Sequence, residues 1–133
     1  AVAFTAHDFV DGGIAGNMKC VMDRILLAAC CGQNQFHHKV GAALCTLRRS
    51  GGMETYQQLL GLMDAMEMVI VTSDYWNAVH GAEIGEAMQD IEGVEVIEKL
   101  ARNMAWMVKV IDAAKGKIDP PETHPRTMMN FIR

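Results

Sequence analysis

Proline is scarce in this chain of 133 residues: there are three, all in the tail from Lys117 to Arg133. The rest of the chain is free of the residue that most often breaks a helix or a strand ladder. Long apolar runs are missing too. None reaches the roughly 18 to 20 residues that a membrane helix needs, so no membrane partner is expected. Positive charge is short, with 12 Lys and Arg against 16 Asp and Glu and a net charge of −4. The one local basic cluster, Arg48-Arg49, is too small to grip a phosphate backbone, which argues against a nucleic-acid partner. Internal repeats, low-complexity tracts and interdomain linkers are all lacking. One domain with a single modest core is expected, over residues 1–116, followed by an extended tail over 117–133.

Reactive patterns are also few. The four cysteines are Cys20, Cys30, Cys31 and Cys45. Cys30-Cys31 and His37-His38 stand as adjacent pairs, whereas zinc ligands come at C-x2-4-C and H-x3-5-H spacing because neighbouring side chains diverge. No metal site is expected. Packing in a reduced, cytoplasmic protein is the simpler role for the cysteines. No strand-to-helix nucleophile elbow appears, which argues against a Ser/His/Asp hydrolase. Ala1 to Phe4 shows no charged n-region or cleavage signature, so no signal peptide is expected. The sequence opens inside a β-compatible run without Met, and a processed, trimmed or truncated chain is the expectation.

What is present is an alternation of periods. Ala1 to Ala6 (AVAFTA) suits a short strand, and His7 to Asn17, rich in Gly and Asp, a loop. Met18 to Ala29 carries an apolar stripe at helical spacing through Met18, Val21, Met22, Ile25 and Ala29. Val40 to Leu47 (VGAALCTL) is apolar nearly throughout, as in a strand buried on both faces. Glu54 to Met66 is a second helix, Met68 to Thr72 a third strand, and Ser73 to Gly93 a long connection without strong period. Val94 to Ala114 is the longest helix, with a stripe through Ile97, Leu100, Ala101, Met104, Val108 and Ile111. Strand–helix alternation of this kind indicates an α/β fold with a parallel sheet and right-handed crossovers.

Ligands of open parallel sheets bind beyond the carboxyl ends of the strands. Three segments fall there. His7 to Asn17 offers Gly12, Gly13 and Gly16, which allow close backbone approach and leave N–H groups free. Arg48 to Gly52 offers two guanidinium groups and a Gly pair. Ser73 to Gly81 offers Tyr75, Trp76, Asn77 and His80, able to stack on or hydrogen-bond a planar ring. Each has a plainer reading as a turn, a solvated charge pair or packing.

Ordered motifs then narrow the field. Gly16-Asn17-Met18-Lys19 with Met22-Asp23-Arg24 resembles the G-[QN]-[ML]-K-x-[FL]-[LM]-D-R stretch of flavodoxin-like NADPH-dependent FMN reductases and iron–sulfur flavoproteins. Val40-Gly41-Ala42-Ala43 through Arg48-Arg49-Ser50-Gly51-Gly52 resembles that family's fourth strand and R-R-x-G loop. Tyr75-Trp76-Asn77, Val79-His80-Gly81, Asp90, Glu92-Gly93, Asn103-Met104-Ala105-Trp106 and the closing Asn130-Phe131-Ile132-Arg133 resemble one bacterial branch. The resemblance covers Gly12 to Arg133. It implies a truncated flavodoxin-like parallel sheet of three βα units with helices on both faces. FMN would sit at the strand ends with NADPH as donor. The ring and ribityl chain would meet Gly12, Gly13, Ile14, Ala15, Gly16 and Asn17. The ring's polar edge would meet Arg48, Arg49, Ser50 and Gly51, and Trp76 and His80 would complete the site.

Two departures stand beside the resemblance. The family's first strand and phosphate-binding loop have no counterpart, and its P-x-Y-[FW]-G stretch reads Asp8-Phe9-Val10-Asp11-Gly12. Both should weaken FMN binding. The Cys-rich motif of the iron–sulfur branch is absent as well. Two functions are therefore carried forward. One is an FMN-dependent, nicotinamide-driven reductase of a flavin, quinone or similar small acceptor. The other is a non-catalytic flavodoxin-like domain acting in oligomerisation or protein binding. A homodimer or higher homo-oligomer is expected through the Ala1–Ala6 edge strand, the Val94–Ala114 helix, or both. Trp106, about 200° round the helix from Met104, is an interface candidate.

Overall fold

The computed structural model describes residues 2–7, 12–122, 124, 127 and 129. Asp8 to Asp11, and the closing Asn130, Phe131, Ile132 and Arg133 of the resemblance, lie outside the described residues. The elements in chain order are β1 (Val2–His7), α1 (Gly16–Cys31), β2 (Val40–Leu47), α2 (Gly52–Ala65), β3 (Val69–Ile70), β4 (Ala78–His80), a 3-10 turn (Glu86–Gln89) and α3 (Ile91–Ala114). All strand pairings are parallel. β1 runs along one edge of β2, with Val2 opposite Gly41 and His7 opposite Thr46. β3 pairs with the start of β2 and β4 with its end. Because β1 occupies the first edge, β3 and β4 share the other.

β2 is the centre, and its unbroken apolar sequence follows from burial on both faces. Ala43, Cys45 and Leu47 point toward α1 and α2, where they pack with Met22, Ala29, Tyr56, Leu59, Leu62, Met63 and Met66. Val40 and Ala42 point the other way, packing with Val71 and Leu100 of α3. Period-two alternation along one strand thus builds two apolar layers, and the helices lie on both faces of the sheet. The expected α/β arrangement of three strand–helix units is present.

Several local expectations change. The third strand, expected as Met68 to Thr72, is two residues long and resumes at Ala78 inside the connection expected to be irregular. Between them the backbone leaves the ladder, for a reason given below. In α3 the buried stripe runs through Ile97, Leu100, Met104, Met107 and Ile111. Ala101 and Val108 face outward, because the helix meets the sheet only along a narrow line. Val21 of α1 is likewise exposed. Of the cysteines only Cys45 is packed; Cys20, Cys30 and Cys31 lie on exposed positions of α1. Among the described residues no helix is long and apolar enough to cross a membrane.

Candidate functional site

Residues 72–76 form a loop that leaves the sheet edge between β3 and β4. Val71 still donates its N–H to the Gly41 carbonyl, and the Cys45 N–H bonds the Asn77 carbonyl, both in register. The Ala43 carbonyl between them has lost its backbone donor. The Asn77 side chain replaces it, with Nδ2 donating to Ala43 O at 2.9 Å from a fully buried position. Asn77 Oδ1 accepts the Ser73 hydroxyl at 2.7 Å, and that hydroxyl accepts the Tyr75 N–H at 3.2 Å. From outside, α3 pins the same loop: Asn103 Nδ2 donates to the Thr72 carbonyl at 2.8 Å, and Lys99 pairs with Asp74. The buried carbonyl is satisfied, as a buried polar group must be, and the loop is held projecting.

Projection places Tyr75 and Trp76 in solvent in the loop that leads from β3 into β4, beside the carboxyl half of β2, their ring centroids 5.0 Å apart. They border a cleft of about 430 Å³. Its other sides are Arg49, Ser50 and Gly51 after β2, the first turn of α2, and His80 with Asp90 at the start of α3. Gly51 has φ of +89°, a left-handed conformation that side chains with a Cβ resist, and it turns the chain straight into α2. The first N–H groups of that helix lack intrahelical acceptors, and its first residues, Gly52, Met53 and Glu54, line the cleft.

Asp90 organises the far wall. It caps α3, with Oδ1 accepting the Gly93 N–H at 3.0 Å, while Oδ2 accepts the His80 N–H at 2.7 Å. These backbone donors, that of His80 first, hold its carboxyl below its ordinary value of 3.8. A depressed carboxyl contributes stability that is present above the unfolded value and lost as pH falls through the folded one. The stability advantage of the wild type over Asp90→Asn should therefore shrink between about pH 5 and pH 2. Denaturant melts across that range check this, and a constant difference would contradict it. Tyr56 lies at the base of the cleft, where burial pushes its hydroxyl above the usual value.

The expected site residues divide. Arg49, Ser50, Gly51, Trp76 and His80 line the cleft together. Arg48 is exposed off the lining. Gly12 abuts the rim: a Cβ there would sit 3.4 Å from Gly51 Cα. Gly13 packs on the Gln58 side chain, and the Ile14 N–H bonds Gln58 Oε1 at 3.1 Å. Ala15 starts α1 as its N-cap, and Gly16 and Asn17 form the exposed first turn. Tyr75 also lines the cleft, as the third segment offered, while Asn77 holds the loop from beneath. Two contributors were not among the expected site residues: Asp90 and the loop-holding Gln58. Asp90 three residues before Gly93 carries a capping pattern that could have flagged it; Gln58 carries no signal. Among the described residues no cluster of three or more His, Cys, Asp or Glu could hold a metal ion.

Comparison with known proteins bears on this cleft. No curated protein matches the sequence. Among solved structures, the crystal structure of the flavodoxin, WrbA-like protein from Agrobacterium tumefaciens superposes with a TM-score of 0.54 at 16% identity. The match covers 76% of this chain and 66% of that one, so this chain spans just under two thirds of that protein's length. At that identity the likeness concerns the fold, which is flavodoxin-like. The family model described as NADPH-dependent FMN reductase matches residues 10–83, which run from the Gly12 loop through Arg49, Trp76 and His80. With more than half of its length and most of the cleft inside that match, the chain belongs to the NADPH-dependent FMN reductase family.

Proposed function

We propose that the chain is the ring-binding part of an FMN-dependent oxidoreductase driven by NADPH. The carrying observation is the cleft at the strand ends, where an exposed Tyr75–Trp76 pair faces Arg49, Gly51 and the first turn of α2. That donor set suits the isoalloxazine ring: an aromatic face to stack on, with N–H groups and a guanidinium for the carbonyls of its polar edge. The lining fits a phosphate dianion less well. Its one permanent cation, Arg49, is outnumbered by Glu54, Asp90 and Glu92. FMN would supply hydride and electron transfer; the protein would supply position, donors and a partly dry stacking surface.

Purified protein should show flavin absorbance bands, or acquire them with quenching of Trp76 fluorescence when FMN is added. A colourless preparation that takes up no FMN would refute this reading. It would favour the second one, a non-catalytic domain for oligomerisation. Two observations support that alternative. Among the described residues β1 is paired along one edge only, and Trp106 and Val110, one helical turn apart on α3, are exposed. A homodimer across this edge and helix accompanies either reading, and sizing of the same preparation measures it.

A further inference from the structure

α1 turns a chemically distinct line of side chains to solvent. At about 100° per residue, Leu27 and Cys31 fall within about 20° of Cys20, opposite the buried Met22 and Ala29. Cys20 and Cys31 are exposed, and Leu27 is 63% exposed. Charges of opposite sign flank this line, Asp23 about 60° to one side and Arg24 about 40° to the other. Asp23 pairs with Lys19 through one oxygen, and Arg24 has no ion pair among the described residues. No disulfide can form along this line within one chain. Cys20 and Cys31 stand about 16 Å apart along the helix, beyond the roughly 7 Å that a disulfide reaches, and Cys30 points about 100° away from Cys31.

We propose that this face of α1 docks in parallel on the same face of a second copy of the chain, and that a peroxide locks the pair by joining Cys20 to Cys20 and Cys31 to Cys31. Charge sets both the occupant and the direction. In a parallel pair about a twofold along the helices, Asp23 of each copy meets Arg24 of the other, which makes two ion pairs at once. An antiparallel pair would bring the two Arg24 side chains together instead. Leu27 meets Leu27 between the two thiol pairs and leaves water. Axes about 10 Å apart bring facing Cα atoms to about 5–6 Å, a distance that a disulfide spans. One Cys20 thiol takes an oxygen from the peroxide, releasing water and becoming a sulfenic acid. The facing thiol displaces that hydroxyl as a second water, and the S–S bond closes. A second peroxide closes the Cys31 pair in the same way. No residue of α1 lines the cleft, and α3 lies across the sheet, so the lock is separate from both and does not depend on a flavin.

The test treats the full chain with hydrogen peroxide and reads non-reducing gels and the masses of linked peptides. Wild type should give a dimer that dithiothreitol dissolves, with Cys20 joined to Cys20 and Cys31 to Cys31. The Cys30→Ser/Cys31→Ser variant keeps Cys20 as its one exposed thiol and should still cross-link. Cys20→Ser/Cys30→Ser should do so through Cys31, whereas Cys20→Ser/Cys31→Ser, which keeps Cys30, should not. In the variant that keeps Cys20, adding Arg24→Glu should slow the linkage about fivefold. Adding Asp23→Arg as well should restore the rate. Salt at about 1 M should slow the wild type to a similar degree. Linkage chiefly of Cys20 to Cys31, equal cross-linking of the variant that keeps Cys30, or a wild type that stays monomeric on the gel overturns the proposal.

Discussion

Leu59→Ala should lower the unfolding free energy by about 2–5 kcal/mol, the range for emptying a packed leucine site. Leu59 is fully buried in the layer between α2 and β2, among Met22, Ala43, Cys45, Tyr56, Met63 and Met66. Close packing leaves little room to collapse onto the missing atoms. Against a total stability of about 5–15 kcal/mol for a domain, the loss is a large share. Urea denaturation should show a lower midpoint with the slope unchanged. A shift under about 1 kcal/mol would mean that α2 does not seat on the sheet as described. The outward-facing Leu27 of α1 is the control, because Leu27→Ala removes contacts that solvent already shares.

Asn77→Ala should cost about 1–3 kcal/mol, and its consequence reaches the cleft. The substitution strips the Ala43 carbonyl of its donor in the middle of a buried sheet, and leaves the Ser73 hydroxyl only the Tyr75 carbonyl of its two acceptors. Asn77→Asp should be as damaging, because a buried carboxylate cannot donate to a carbonyl. Ser73→Ala should cost less, about 0.5–1.5 kcal/mol, since it leaves the Ala43 carbonyl satisfied. In the Asn77 variants, amide exchange at Ala78, Val79 and His80 should accelerate while β1 and the first half of β2 stay protected. Equal acceleration throughout the sheet would show that Asn77 serves global packing instead of the strand break.

The strand–helix order and the two-faced burial of β2 were legible because they depend on local periods. An eight-residue apolar run has few homes other than the middle of a covered parallel sheet. The helical stripes were legible in the same way, to within a rotation of the buried face. Val108 and Met107 show the limit: 3.6-residue periodicity marks an apolar side but not where the sheet touches it. The cysteines show another. Cys20, Cys30 and Cys31 sit among apolar neighbours in sequence yet project from α1 into solvent, because neighbours along a helix point in different directions.

The site was partly legible. Gly-rich and Arg-rich segments after strands, and an aromatic pair near the third, pointed to the end of the sheet where the cleft opens. Its assembly was not. Whether a polar residue in a long connection faces water or replaces a missing ladder donor depends on what lies 34 residues away in sequence, as Asn77 and Ala43 do. The bond between Gln58 and Ile14 spans 44 residues and leaves no period in either segment. His80 meets Asp90 only because β4 ends where α3 begins. The sequence by itself determined the family, the parallel α/β arrangement and the segments that border the cleft. Apolar periodicity and ordered motifs are properties of the chain. Tertiary structure alone decided the broken third strand, the projecting Tyr75–Trp76 loop and the His80–Asp90 pair, because each depends on a polar group meeting a distant partner across the sheet.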